Sequence, residues 1–162
     1  GGKLLRMQTE FAYPEPPRIM ERIEFTFDRD GDAEGWSRQT GMTVPVVTDG
    51  VMRMQITGRD PHIARGMLRV PPDTHSALKV RMRITGGAGE AQVFWGIADE
   101  PGFRDDKYMN FPIQPDGQWH EYTITVGEHD KWAGQEIVSL RLDPSVGEAA
   151  GETVEIDSII GE

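Results

Sequence analysis

The stretch Phe27–Trp36 reads FDRDGDAEGW and sets carboxylates at Asp28, Asp30 and Asp32. Alternating oxygen ligands on a loop are how an EF-hand begins to grip calcium. Counted from Asp28, the sixth position is Ala33 and the twelfth is Gln39. The loop needs glycine at the first of these and a bidentate glutamate at the second, and it needs flanking helices. The stretch therefore predicts a solvated turn that leaves a strand, with Trp36 returning to the core, ahead of the alternative of a calcium site of another geometry. Other catalytic signatures are missing: there is no H-E-x-x-H, no G-x-S-x-G and no phosphate-cradling glycine loop. His62, His75, His120 and His129 show no metal-ligand spacing, and each reads as a surface or strand histidine.

One further acidic pair, Glu155 and Asp157 in VEIDSII, matches the first two positions of the E-x-D-x-x-E strand motif of laminarinase-type glycosidases. Those enzymes cleave with paired carboxylates. The third acidic position is Ile160, which leaves the strand without a proton donor, so Asp157 reads as structural. The remaining chemistry is binding. Sugar rings present apolar C–H faces and a rim of hydroxyls, so a sugar site wants an exposed aromatic platform among planar polar side chains. Trp95, Phe103, Tyr108 and Trp132 are the platform candidates, although the alternation of Trp95 with Val93 and Ile97 favours the core. Arg81, Arg83, Gln92, Arg104, Asp106 and Asn110 are their polar partners, and the loop PGFRDDKY is the richest mixture. Trp36, Trp119, Tyr122 and Trp95 are expected in the core, with Phe94 and Gln92 on the opposite side of their strand. Lys79, Arg81 and Arg83, with Arg141, could grip a uronate or sulfate. Cross-strand ion pairs are the weightier expectation for them.

The elements that would hold these residues are strands. IEFTF, VMRMQIT, ALKVRMRI, AQVFWGIA, YMNFPI, WHEYTITV, IVSLRLD and TVEIDSII each alternate or run apolar over strand length, separated by turn signals such as TDG, GGAGE and QPDGQ. The regular spacing predicts an all-β antiparallel sandwich over 21–162. Ahead of it, residues 1–20 are expected to hold a short helix at KLLRMQTEF and a linker stiffened by three prolines in AYPEPPR.

Composition narrows the partners. With 17 basic and 27 acidic residues, the net charge is −10. That argues against nucleic acid, whose phosphates need a basic footprint, and against an anionic membrane surface. No cysteine is present, so there is no disulfide framework and no thiolate zinc site. No apolar run approaches the roughly 20 residues of a membrane span. The start at GGKLL, without an initiator Met, suggests a domain cut from a longer protein.

The run AQVFWGIADEPGFRDDKYMNFPIQPDGQWHEYTITV, followed by Trp132–Gly134, LRLDP and VEIDSI, resembles the jelly-roll carbohydrate-binding modules attached to bacterial polysaccharide-degrading enzymes. FDRDGDAEGW is similar to their opening strand and tryptophan, and the resemblance spans about residues 23–160. It implies a jelly-roll sandwich that binds a polysaccharide or oligosaccharide without cleaving it. It also implies an appended catalytic domain and a secreted location, extracellular or periplasmic. Many such modules hold a structural Ca2+ near the first and last strands, for which Glu24 and Asp157 are the acidic candidates here. Two other classes stay open: an interdomain module with no small ligand, and a glycan-active enzyme with two carboxylates across a cleft.

Overall fold

The computed structural model describes residues 18–146 and 151–162. The expected helix at 3–11 and the linker up to residue 17 lie outside the described residues. Eleven strands follow: β1 Glu24–Phe25, β2 Ser37–Thr40, β3 Val46–Thr48, β4 Val51–Gln55, β5 His62–Arg65, β6 Leu78–Ile84, β7 Glu90–Ile97, β8 Tyr108–Pro112, β9 His120–Ile124, β10 Ile137–Asp143 and β11 Thr153–Gly161. A 3-10 turn, Val126–Glu128, links β9 to β10. Sheet I has the order β3-β4-β11-β6-β9, with β1 added against β11; sheet II has the order β2-β5-β10-β7-β8. Every strand pairing is antiparallel. The eight strands from β4 to β11 switch between the sheets in the interleaved orders β4-β11-β6-β9 and β5-β10-β7-β8. That is the jelly-roll form of the sandwich that the resemblance implied.

Period-two patterning builds the core. In β6, Leu78, Val80, Met82 and Ile84 are buried while Lys79, Arg81 and Arg83 point out. In β11, Val154, Ile156 and Ile159 face in, and a bulge between Ile156 and Ser158 shifts the register midway. Each fully buried apolar side chain of this kind contributes about 1.5–3 kcal/mol. Trp36 and Trp95 lie in the core, as expected, at 4% and 0% exposure.

The acidic turn at the head of the domain is structural. Asp28 accepts from the Thr26 hydroxyl at 2.7 Å, Asp30 from the Asp49 amide at 3.1 Å, and Asp32 from the Glu34 amide at 2.9 Å. The Gly31 amide donates to the Val47 carbonyl at 2.8 Å. The turn thus pairs with the open edge of β3, a row of backbone groups that would otherwise invite another strand. β1 pairs with β11 only at Ile159 and Ile160, and β4 takes over that edge of β11 at Ile156. Phe27 turns to φ 54° with its amide held by the Glu34 carboxylate at 2.6 Å, which keeps both Phe25 and Phe27 fully buried. TDG forms the β3–β4 hairpin as read, Asp49 and Gly50 both taking the positive φ of a primed turn.

Candidate functional site

The outer face of sheet II gathers the aromatic and planar polar groups. Along β7, Ala91, Val93, Trp95 and Ile97 face the core, so Gln92, Phe94 and Gly96 face out. Register then fixes their neighbours. Phe94 lies opposite Tyr108 of β8 and Arg141 of β10, and Gln92 lies opposite Asn110 and Asp143. Arg141 in turn faces Ala64 of β5, which faces Ser37 of β2. Two rows of side chains therefore cross the sheet. At strand spacing of about 4.8 Å, a row from β2 to β8 runs about 19 Å.

The first row carries a three-layer stack. Phe94 and Tyr108 stack with centroids 5.2 Å apart and an interplanar angle of 27°. The Arg141 guanidinium lies 4.3 Å from the Phe94 centroid. Phe94 is left 7% exposed, so it acts as the plinth between two flat groups that do meet solvent. Arg141 is fixed in that plane by its acids. Its Nε donates to Asp143 at 2.8 Å, and its Nη2 donates to Asp143 at 2.7 Å and to Asp60 at 3.1 Å. Burial pushes the Asp143 carboxyl above its ordinary range, and the hydrogen bonds and charge of Arg141 pull against that shift. His62 Nδ1 donates to the Asp60 carbonyl at 2.8 Å.

Asp60, His62 and Asp143 form the one group among the described residues whose spacing could hold a metal ion. Arg141 already spans both Asp143 oxygens and reaches Asp60, so the group is charge-compensated by a guanidinium. Neither expected metal ligand belongs to it. Glu24 is exposed on β1 opposite Ile160, and Asp157 sits at the β11 bulge facing Arg81 at 3.5 Å.

The expected sugar-site residues divide by face. Tyr108, Gln92 and Asn110 are brought together on sheet II. Phe103, Arg104 and Asp106 lie in the β7–β8 loop at the margin of that face, Phe103 half-buried and the other two exposed. Arg104 pairs with Glu100 at 3.3 Å, and Asp106 with Lys107 at 3.4 Å. Trp132 leaves the candidate set. It is 3% exposed, packs edge-on to Trp95 with centroids 5.3 Å apart, and donates its indole N–H to the His75 carbonyl at 2.8 Å. It anchors the loop that sequence alone left open to solvent. Arg81 and Arg83 belong to the outer face of the opposite sheet, where ion pairs prevail. Glu155 accepts from Arg83 at 3.0 and 3.1 Å and from Arg53 at 3.0 Å, and Lys79 meets Glu162 at 2.9 Å. Trp119 is not a core residue. It is half-exposed there, with the Arg83 and Arg81 guanidinium carbons 4.9 and 5.3 Å from its ring.

Asp60, His62, Asp143 and the stacking role of Arg141 were missed. The R-L-D spacing at 141–143 puts Arg141 and Asp143 on one strand face and was the available signal. Asp60 and His62 come from another strand's start and become neighbours only through the β5–β10 pairing.

In fold, the chain is similar to solved structures of family 29 carbohydrate-binding modules. A mutant of one such module superposes with a TM-score of 0.57 at 10% identity, over 85% of this chain and 89% of that one. A mutant complexed with mannohexaose gives 0.57 at 13% identity, over 86% and 88%. Another, complexed with cellulohexaose, gives 0.55 at 13% identity, over 86% and 91%. The sequence matches no family profile and no curated protein.

Proposed function

We propose that this domain is a non-catalytic carbohydrate-binding module whose ligand, an oligosaccharide stretch of a neutral polysaccharide, lies across the outer face of sheet II. The observation that carries the reading is the Tyr108–Phe94–Arg141 stack, set on an open sheet face beside Gln92 and Asn110. A half-exposed tyrosine on a buried phenylalanine offers a rigid flat surface to the C–H face of a sugar ring. The amides of Gln92 and Asn110 and the carboxylate of Asp60 supply donors and acceptors for hydroxyls. The structures similar in fold include complexes with mannohexaose and cellulohexaose, which supports an extended oligosaccharide as the ligand class. The carboxylates that a glycosidase would need are engaged otherwise: Glu155 by Arg53 and Arg83, Asp143 by Arg141.

Calorimetric titration with mannohexaose and cellohexaose tests the reading. A single platform leaves little surplus after ordering costs, so dissociation constants of about 10 µM to 1 mM are expected. Tyr108→Ala should weaken binding at least roughly tenfold, about 1.4 kcal/mol, while Tyr108→Phe retains it. No binding of any neutral or acidic glycan at millimolar concentration would make an interdomain module the better reading. The resemblance of the sequence to modules of polysaccharide-degrading enzymes supports extending the proposal to an appended catalytic domain and a secreted location. Fractionation of the source cells tests the latter.

A further inference from the structure

We propose that the β7–β8 segment, residues 98–107, is a fixed wall along one side of the sheet II face, and that Lys107 is the positioning residue that holds it. This proposal rests on the sugar-binding reading and adds a specificity to it: the site takes linear chains in preference to chains bearing side-branches.

Three observations place the wall. Gly96 and Ser139 are register partners, one step along their strands from Phe94 and Arg141 on the same outer face. The Pro101 carbonyl lies directly over them: the Ser139 hydroxyl donates to it at 3.3 Å. A Cβ at Gly96 would collide with that carbonyl and with the Ser139 oxygen. The segment therefore folds down onto the sheet beside the stack, which glycine alone permits.

The segment is then locked at its base. Lys107 is fully buried, and its ammonium donates to Glu100 at 2.9 Å and to Asp106 at 3.4 Å. Ile97 and Glu100 exchange backbone hydrogen bonds at 3.1 and 2.9 Å, the Lys107 amide donates to the Arg104 carbonyl at 3.0 Å, and the Trp95 amide donates to the Lys107 carbonyl at 3.2 Å. A buried ammonium is costly unless well paired, so losing Glu100 would leave Lys107 only the longer contact to Asp106 and weaken the lock at the hinge of the wall. Lys107 directly precedes Tyr108, so the same lock sets where the tyrosine ring enters the face.

A chain lying along the Tyr108–Phe94–Arg141 row would have this wall on one flank. Substituents directed to that flank meet backbone of the 98–107 segment, which cannot retreat while the Lys107–Glu100 pair stands. A linear chain meets no such obstacle.

The test compares linear mannohexaose with a galactose-branched manno-oligosaccharide of the same backbone length by calorimetry. The intact domain should favour the linear ligand by about tenfold. Gly96→Ala, which lifts the Pro101 carbonyl, and Glu100→Gln, which unlocks Lys107, should each bring the two affinities to within about twofold. Lys107→Met, which fills the same space without charge, should do likewise. Melting curves check that each variant folds, and the affinity ratio is the readout that a merely destabilised fold would not move. Equal affinity of the intact domain for both ligands overturns the wall. A linear preference that survives Gly96→Ala and Glu100→Gln overturns the role of the lock. Failure of the intact domain to bind either ligand instead removes the sugar-binding reading itself.

Discussion

His75 shows how one side chain can tie several elements and make the whole fold answer to pH. It is 3% exposed, and its Nε2 accepts the Ile23 amide at 2.9 Å, so the proton of the neutral ring sits on Nδ1. The residue's carbonyl takes the Trp132 indole N–H, and Gly161 packs directly beneath the ring, where a Cβ would collide with it. Burial, assisted by the nearby Arg22 charge, lowers the His75 pKa below its ordinary value of 6.5. Protonation would turn the acceptor at Ile23 into a second donor. The folded pKa lies below the unfolded one, so the stabilisation is complete above the unfolded value and is lost as pH falls through the folded one. The melting temperature is expected to fall as pH drops from about 7 to 5, and the fall should flatten in His75→Gln, whose side-chain oxygen accepts without titrating. A parallel fall in both proteins would show that His75 is not the responsible group. Sequence gave no hint of this latch, since the histidine stands in PDTHSA, a loop without periodicity, and its partners come from 52 residues upstream and 57 downstream. Tyr108, by contrast, closes a stretch of mixed aromatic and charged residues that is visible in the sequence, because residue type and spacing are local properties.

Among the elements, strands whose alternation is clean were readable, and strands that bend the rule were not. β6 and β11 followed period two because each packs one face on the core and turns the other to solvent. β2, β3 and β5 carried no such pattern. β2 reads SRQT at a sheet edge, and β5 reads HIAR with Ile63, Ala64 and Arg65 all buried. Arg65 can be buried because its guanidinium donates to the carbonyls of Glu34 and Arg18 at 2.7 Å and also to that of Gly66, and it lies over Phe25. Such a residue is indistinguishable from a surface arginine until those carbonyls are in place. The outward face of sheet I behaves as the charge pattern suggested. Glu155 on the central strand β11 bonds arginines on both neighbours, Arg53 of β4 and Arg83 of β6. Hydrogen bonds from Arg83 chiefly hold the Glu155 pKa below its ordinary 4.5. Its stabilisation is therefore present above that value and lost as pH falls through the lower folded one. Glu155→Gln should cost about 1 kcal/mol at neutral pH, the upper end for partly exposed pairs, or roughly 2–4 °C in melting temperature. The difference should vanish in acid, and its persistence there would mean the loss came from packing.

For the molecule as a whole, the two outer faces divide the work, and charge decides what each can meet. Sheet I presents Lys79, Arg81, Arg83 and Arg53 already matched to Glu162, Asp157, Glu155 and Glu121. Sheet II presents an aromatic stack whose arginine is compensated by Asp60 and Asp143. On a chain of net charge −10, neither face leaves a basic surplus for a polyanion among the described residues. A ligand held by stacking and by hydrogen bonds to hydroxyls releases no counterions. The affinity for a neutral oligosaccharide should therefore change less than about twofold between low salt and roughly 0.3 M salt, where exposed charges are screened beyond several ångströms. Trp119→Ala, on the other sheet, should leave that affinity unchanged, although it removes a half-exposed indole and the two guanidinium contacts on it. Polyuronates and sulfated glycans should show no retention on the immobilised domain at physiological salt. A steep loss of affinity with salt, abolished by Arg81→Gln or Arg83→Gln rather than by Tyr108→Ala, would place the ligand on sheet I and make it anionic. The salt titration of the intact protein and of these three variants thus assigns the binding face by a measurement independent of any structure of the complex.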